Sequence, residues 1–180
     1  MSSVFIGLAL VLAFAVIAVV SLWLFTRGDY AVAATVTDDP SLPARDVLGI
    51  RLHAEEFGPE TGQLVIVLHG GPGGDYRSLL GLAALGKDGF QVLFYDQRGA
   101  GLSQRVPETQ LTLSSHLAEL DAIMSALSPD APAILIGHSW GAMLASAYLG
   151  RYPDRVAKAV LIEPGFLSAK EADDFLARMN

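Results

Sequence analysis

Ser139 stands in the stretch Gly137-His138-Ser139-Trp140-Gly141, where it is the one side chain suited to attacking a carbonyl. A serine hydroxyl is a weak nucleophile near neutral pH unless an adjacent base, usually histidine, removes its proton during attack. Two more glycine-rich stretches carry residues of chemical interest. In His69-Gly70-Gly71-Pro72-Gly73-Gly74, four glycines and a proline let the backbone turn sharply and bring N–H groups close to a ligand. No GK[ST] sequence follows, so the phosphate-binding Walker loop is excluded, and a plain tight turn stays open as an alternative. In Asp96-Gln97-Arg98-Gly99-Ala100-Gly101-Leu102-Ser103, charged and amide side chains suit the tying down of a rigid turn. His69, Gly70, Asp96 and Arg98 are therefore expected to organise loops, and Asp96 is also tempting as a catalytic acid.

Each of these stretches follows a short apolar run. Gln63 to Leu68 and Phe90 to Tyr95 are continuous and β-branched or aromatic, and Ala133 to Ile136 leads directly into Ser139. Buried parallel strands have this composition. Leu48 to Glu56 alternates loosely, as a half-buried strand does, and Val156 to Ile162 extends the series. Helices are predicted over Asp75 to Lys87, Leu113 to Leu127 and Trp140 to Tyr152. In the second, Leu113, Leu117, Leu120, Ile123, Met124 and Leu127 fall close to one face, with Thr112 as its N-cap. Strand, helix and strand in repetition predict an α/β fold, a mostly parallel sheet with flanking helices.

In that context Ser139 occupies a strand-to-helix turn, the nucleophile elbow, and the helix after it directs its positive end toward developing negative charge. HGGPGG, DQRGAGLS and GHSWGA, in that order and each after a predicted strand, resemble the α/β-hydrolase superfamily, most closely its proline iminopeptidase-like branch. The resemblance covers roughly Leu48 to Gly165. It implies an acyl-enzyme mechanism in which Ser139 attacks an ester or amide, possibly of an N-terminal proline peptide. Gly71 and Trp140 N–H groups would hold the oxyanion. It also implies a chain order of Ser, acid, then His, which Asp96 does not match because it precedes the serine. Glu163, directly after Val156 to Ile162, is the possible acid, with a solvated or loop-capping carboxylate as the alternative.

The four histidines, His53, His69, His116 and His138, all precede Ser139. The expectation is an N-terminal fragment of a serine hydrolase lacking its catalytic His and inactive alone, with FLSAKEADDFLARMN opening a helical cap. Two alternatives are a non-catalytic interaction module derived from a hydrolase fold and a site completed by a partner chain that supplies the base. The substrate would be a small acyl or peptide compound. No cofactor and no metal site is implied.

The remaining signal is at the N-terminus. Val4 to Phe25 carries no charge, and as a helix it would be roughly 33 Å long, enough to cross a hydrocarbon core of about 30 Å. A single-pass membrane anchor is expected there, its side of the membrane left open by the lone flanking Arg27. A cleaved signal ending at Ala31-Val32-Ala33 and a buried core helix are the competing readings. The expected organisation is an anchor over 1–27, a linker over 28–45 and the first part of a hydrolase domain over 46–165. A cap would begin over 166–180. With 12 basic and 19 acidic residues, a net charge of −7, the chain has no basic footprint for nucleic acid. The absence of cysteine excludes a disulfide framework and thiolate metal sites.

Overall fold

A computed structural model describes residues 2–26, 34–168 and 170–171. The chain forms two units, Met1–Ala33 and Ala34–Asn180. In the first, helix α1 (Ser2–Thr26) spans the apolar run. Among the described residues, no helix is long and apolar enough to cross a membrane. This corrects the anchor expected over Val4 to Phe25, together with the membrane partnership and single-pass localisation drawn from it. The small-residue stretch Ala31-Val32-Ala33 and the terminal carboxylates Asp173 and Asp174 lie outside the described residues.

The second unit is built on a six-stranded sheet of β1 (Ala44–Val47), β2 (Ile50–Phe57), β3 (Leu64–Leu68), β4 (Gln91–Tyr95), β5 (Ala133–His138) and β6 (Val156–Ile162). Their order is β1-β2-β4-β3-β5-β6. The pairs β3 with β4, β3 with β5 and β5 with β6 are parallel, whereas β2 runs antiparallel to β4, with Ala54 opposite Tyr95. Where the sequence suggested one strand over Leu48 to Glu56, the structure has a hairpin. Leu48 and Gly49 both adopt positive φ, 50° and 77°, the geometry of a two-residue hairpin turn.

Every residue of β3 and β4 is buried because both faces of the sheet are covered. Leu64, Ile66 and Leu68 face one side, where α2 (Leu113–Leu127) and α3 (Trp140–Arg151) supply Leu120, Ile123, Met124, Leu144 and Tyr148. Val65 and Val67 face the other, where a 3-10 helix over Tyr76–Asp88 closes a second cluster around Tyr76 and Phe94. Each large apolar side chain fully buried in these layers contributes about 1.5–3 kcal/mol. Capping sets the helix bounds: the Thr112 hydroxyl accepts from Ser115 N–H at 3.1 Å, and Asp75 caps the 3-10 helix through Arg77 N–H at 3.0 Å. Gly89, at φ 91°, ends that helix in a left-handed turn.

Residues just before β1 also pack on this unit. Val36 is buried, and its N–H donates to Leu102 O at 2.9 Å, joining part of the stretch read as linker to the loop after β4. The parallel arrangement brings the ends of β3, β4 and β5 to one edge of the sheet, where open α/β sheets place their sites.

Candidate active site

Ser139 links β5 to α3 with φ 52° and ψ −117°, one of three non-glycine residues with positive φ among those described. Such a backbone costs on the order of 1–3 kcal/mol and persists where its surroundings over-determine it. Here they do. A Cβ at Gly137 would overlap Gly141 O, and one at Gly141 would overlap Leu68 O, so both glycines let α3 sit tightly on the ends of β5 and β3. Ser139 N–H donates to Ile162 O at 2.9 Å, the last rung joining the elbow to β6. Trp140 N–H belongs to the first turn of α3, whose N–H groups have no acceptor inside the helix.

The HGGPGG loop lies directly against this elbow. A Cβ built on Gly70 would stand 3.1 Å from His138 Nδ1 and 3.2 Å from Ser139 Cβ. Its register is held by Gln97, a residue the sequence displayed inside DQRG without showing what it binds. The Gln97 N–H donates to His69 Nε2 at 2.9 Å, and its side-chain amide donates to His69 O at 2.9 Å. Its side-chain oxygen accepts from Trp140 Nε1–H at 2.9 Å. With Nε2 an acceptor, the proton of His69 is on Nδ1, which donates to Gly70 O at 2.8 Å. Burial pushes the His69 pKa down, keeping the ring neutral in that tautomer. Gln97 thus couples the two segments that bear Gly71 and Trp140.

Asp96 is fully engaged elsewhere. Its carboxylate meets His53 Nδ1 at 2.9 Å and accepts from Tyr76 N–H at 3.1 Å and Leu102 N–H at 2.8 Å, so it ties β2, the 3-10 helix and its own loop together. Arg98 reaches α2 instead. Its Nε donates to Glu119 Oε2 at 3.1 Å and its backbone N–H to Oε1 at 3.3 Å, with both side chains buried. Burial pushes the Glu119 pKa up to about 7, against the opposing pull of Arg98. The same burial, aided by Arg98 and His69, pushes His116 down to about 4. The His116 ring packs edge-on to Trp140 with centroids 5.6 Å apart.

Glu163 follows β6 with φ 48° and an exposed carboxylate, 3.7 Å from His138 Nε2. Ser139, Gly70, Trp140 and His138 are therefore gathered at the end of β5, with Glu163 beside them across the β5–β6 pair. Asp96, His53 and Arg98 serve loop anchorage. Among the described residues, no histidine is hydrogen-bonded to the Ser139 hydroxyl, and no cluster of carboxylates and histidines is arranged to hold a metal ion. An open cavity of about 320 Å³ adjoins Trp140, with Leu113, Met143, Ala147 and Leu167 in its walls.

Comparison with known proteins agrees with this geometry. The model of the alpha/beta hydrolase fold family matches residues 63–179. The proline iminopeptidase of Heyndrickxia coagulans is 46% identical over 121 residues, an alignment covering 66% of this chain and 41% of that protein. That of Saccharolobus solfataricus is 36% identical over 105 residues, covering 58% of this chain and 34% of its own. The chain thus spans well under half the length of these curated relatives. Among solved structures, a proline iminopeptidase-related protein from Thermus thermophilus superposes with a TM-score of 0.58 at 32% identity, over 66% of this chain and 42% of that one. A matching family model over most of the chain establishes that this chain belongs to the alpha/beta hydrolase fold family, and within it the chain resembles the proline iminopeptidase-like branch.

Proposed function

We propose that the chain carries the nucleophile and oxyanion groups of a serine hydrolase that acts on an ester or amide through an acyl-enzyme. The observation that carries this reading is Ser139 itself, held at positive φ between β5 and α3 with HGGPGG packed on it. In this scheme the Ser139 hydroxyl gives its proton to a base, hydroxide from solvent where no histidine reaches it, as its oxygen attacks the carbonyl carbon, the π electrons move to the carbonyl oxygen, and the N–H groups of Gly71 and Trp140 receive the negative charge. Collapse breaks the bond to the leaving group, which takes a proton from water and departs as alcohol or amine, leaving the acyl group on Ser139; a second water then attacks the acyl carbon, releases the carboxylic acid and returns the proton to the Ser139 oxygen. Glu163 is the candidate acid, since its carboxylate stands at the same sheet edge and is free of any buried ion pair. The relatives' names favour a peptide with N-terminal proline as substrate.

The test is labelling with a fluorophosphonate across a pH series, comparing the chain with Ser139→Ala. Labelling at Ser139, abolished by the substitution, is the expected result. Because no described histidine contacts the hydroxyl, the rate should climb by about tenfold per pH unit above neutrality, as hydroxide replaces a built-in base. A plateau near pH 7 would instead mean that a histidine reaches Ser139. No labelling of Ser139 at any pH would overturn its assignment as nucleophile.

A further inference from the structure

Away from Ser139, the hairpin turn between β1 and β2, the loop after β4 and the first turns of α2 enclose a groove of about 440 Å³, large enough for a small organic ligand. Its walls hold two arginines, Arg98 and Arg105, and no aspartate or glutamate, in a chain whose net charge is −7. The charge of Arg98 is closed on Glu119. Arg105 is exposed and has only carbonyl partners among the described residues: its Nη1 donates to Ser103 O at 2.8 Å and Ala100 O at 3.3 Å, and its Nη2 to Gly101 O at 2.8 Å. These bonds hold the guanidinium in place without neutralising it, and they leave the Nε–H and one Nη2–H for a ligand. Beside it, Gln104 Oε1 accepts from Arg51 N–H at 2.9 Å, which fixes the side-chain NH2 group as a donor with no acceptor among the described residues. The groove's lip is Leu48, 62% exposed at φ 50°. Turns of this kind favour Asn, Asp or Gly, so a leucine there is strained and offers the groove an apolar surface in exchange.

We propose that this groove binds an organic oxyanion, a carboxylate or phosphate group carried on a small apolar body. The oxyanion takes charge-assisted hydrogen bonds from Arg105 and a further one from the Gln104 amide, and the apolar body lies on Leu48, Val106 and Pro107. Because three carbonyls already hold the Arg105 side chain, little of its conformational freedom is lost on binding. An ammonium ligand would face the Arg105 charge with no carboxylate in the walls to receive it, and a neutral amide would forgo the charge-assisted bonds. None of the lining residues belongs to the elbow or to the HGGPGG loop, so binding is independent of whether Ser139 is a nucleophile.

The experiment titrates benzoate, phenyl phosphate and benzamide separately into the full chain at low ionic strength while following the Arg105 Nε–H and Gln104 side-chain amide resonances. The expected result is saturable shifts with at least one anion, bound at least about tenfold more tightly than benzamide. Whichever anion binds more tightly names the head group. Arg105→Met should weaken that anion by about tenfold or more when read on Gln104. Gln104→Glu keeps an oxygen for Arg51 N–H but turns the donor into an acceptor, and should weaken it by about tenfold when read on Arg105. Leu48→Asn suits the turn, so it should raise the urea midpoint while weakening the anion by about threefold, a loss that unfolding does not explain. No saturable shift with either anion, benzamide binding as tightly as the anions, or an affinity unchanged by both Gln104→Glu and Leu48→Asn would overturn the proposal.

Discussion

At the scale of single residues, the informative feature of Ser139 is its backbone. A φ of 52° with ψ −117° suits glycine and strains any residue with a Cβ. Ser139→Gly should therefore be more stable than Ser139→Ala by about 1 kcal/mol, although both remove the nucleophile. Urea unfolding of the two variants checks this, and equal midpoints would mean that the elbow holds no strain. Gln97 illustrates a different kind of residue. Its three hydrogen bonds reach His69 and Trp140, and nothing in its immediate neighbours announces them.

At the scale of elements, Arg98 and Glu119 hold the loop after β4 onto α2 through a buried ion pair. Removing one partner of such a pair is more damaging than replacing both, because it strands a charge away from water. Arg98→Met should cost about 3–5 kcal/mol at about pH 8, and clearly less at about pH 5, where the stranded Glu119 carboxyl is protonated. Arg98→Met combined with Glu119→Leu should recover most of the loss. Thermal unfolding of the three proteins at both pH values measures it; a loss that is the same at both pH values would show that the pair's charge is not what matters.

At the scale of the whole molecule, two buried groups pull stability in opposite directions over one pH range. His116 titrates at about 4 when folded against an ordinary 6.5, so the unfolded chain binds the extra proton and stability falls as pH drops from about 6.5 to about 4. Glu119 titrates at about 7 when folded against an ordinary 4.5, so the folded chain binds the extra proton and stability falls as pH rises from about 4.5 to about 7. Relative to the parent, His116→Phe should therefore tilt the plot of stability against pH downward across that window, and Glu119→Gln should tilt it upward. Urea midpoints at several pH values read the slopes directly, and unchanged slopes would place the pH dependence in other groups.

Local chemistry makes much of this protein legible in its sequence. Glycine spacing around Ser139 marks the strand-to-helix turn, β-branched runs mark β3 and β4, and leucine period with Thr112 marks α2 over Leu113–Leu127. The apolar run that predicts a helix near the N-terminus is found in α1, but the inference from that helix to a membrane anchor does not hold. The hairpin of β1 and β2 is hidden because Leu48 at positive φ is an unusual residue for its turn. Only the tertiary structure decides which loops meet. Gln97 and Trp140 are 43 positions apart and Gln97 and His69 are 28 apart, and they become neighbours because β3 lies between β4 and β5. The His69 tautomer, the burial of His116 and the closed Arg98–Glu119 pair follow from that sheet order. Periodicity and turn chemistry act between residues a few positions apart, whereas partners and pKa values are set by whatever the sheet order brings close in space.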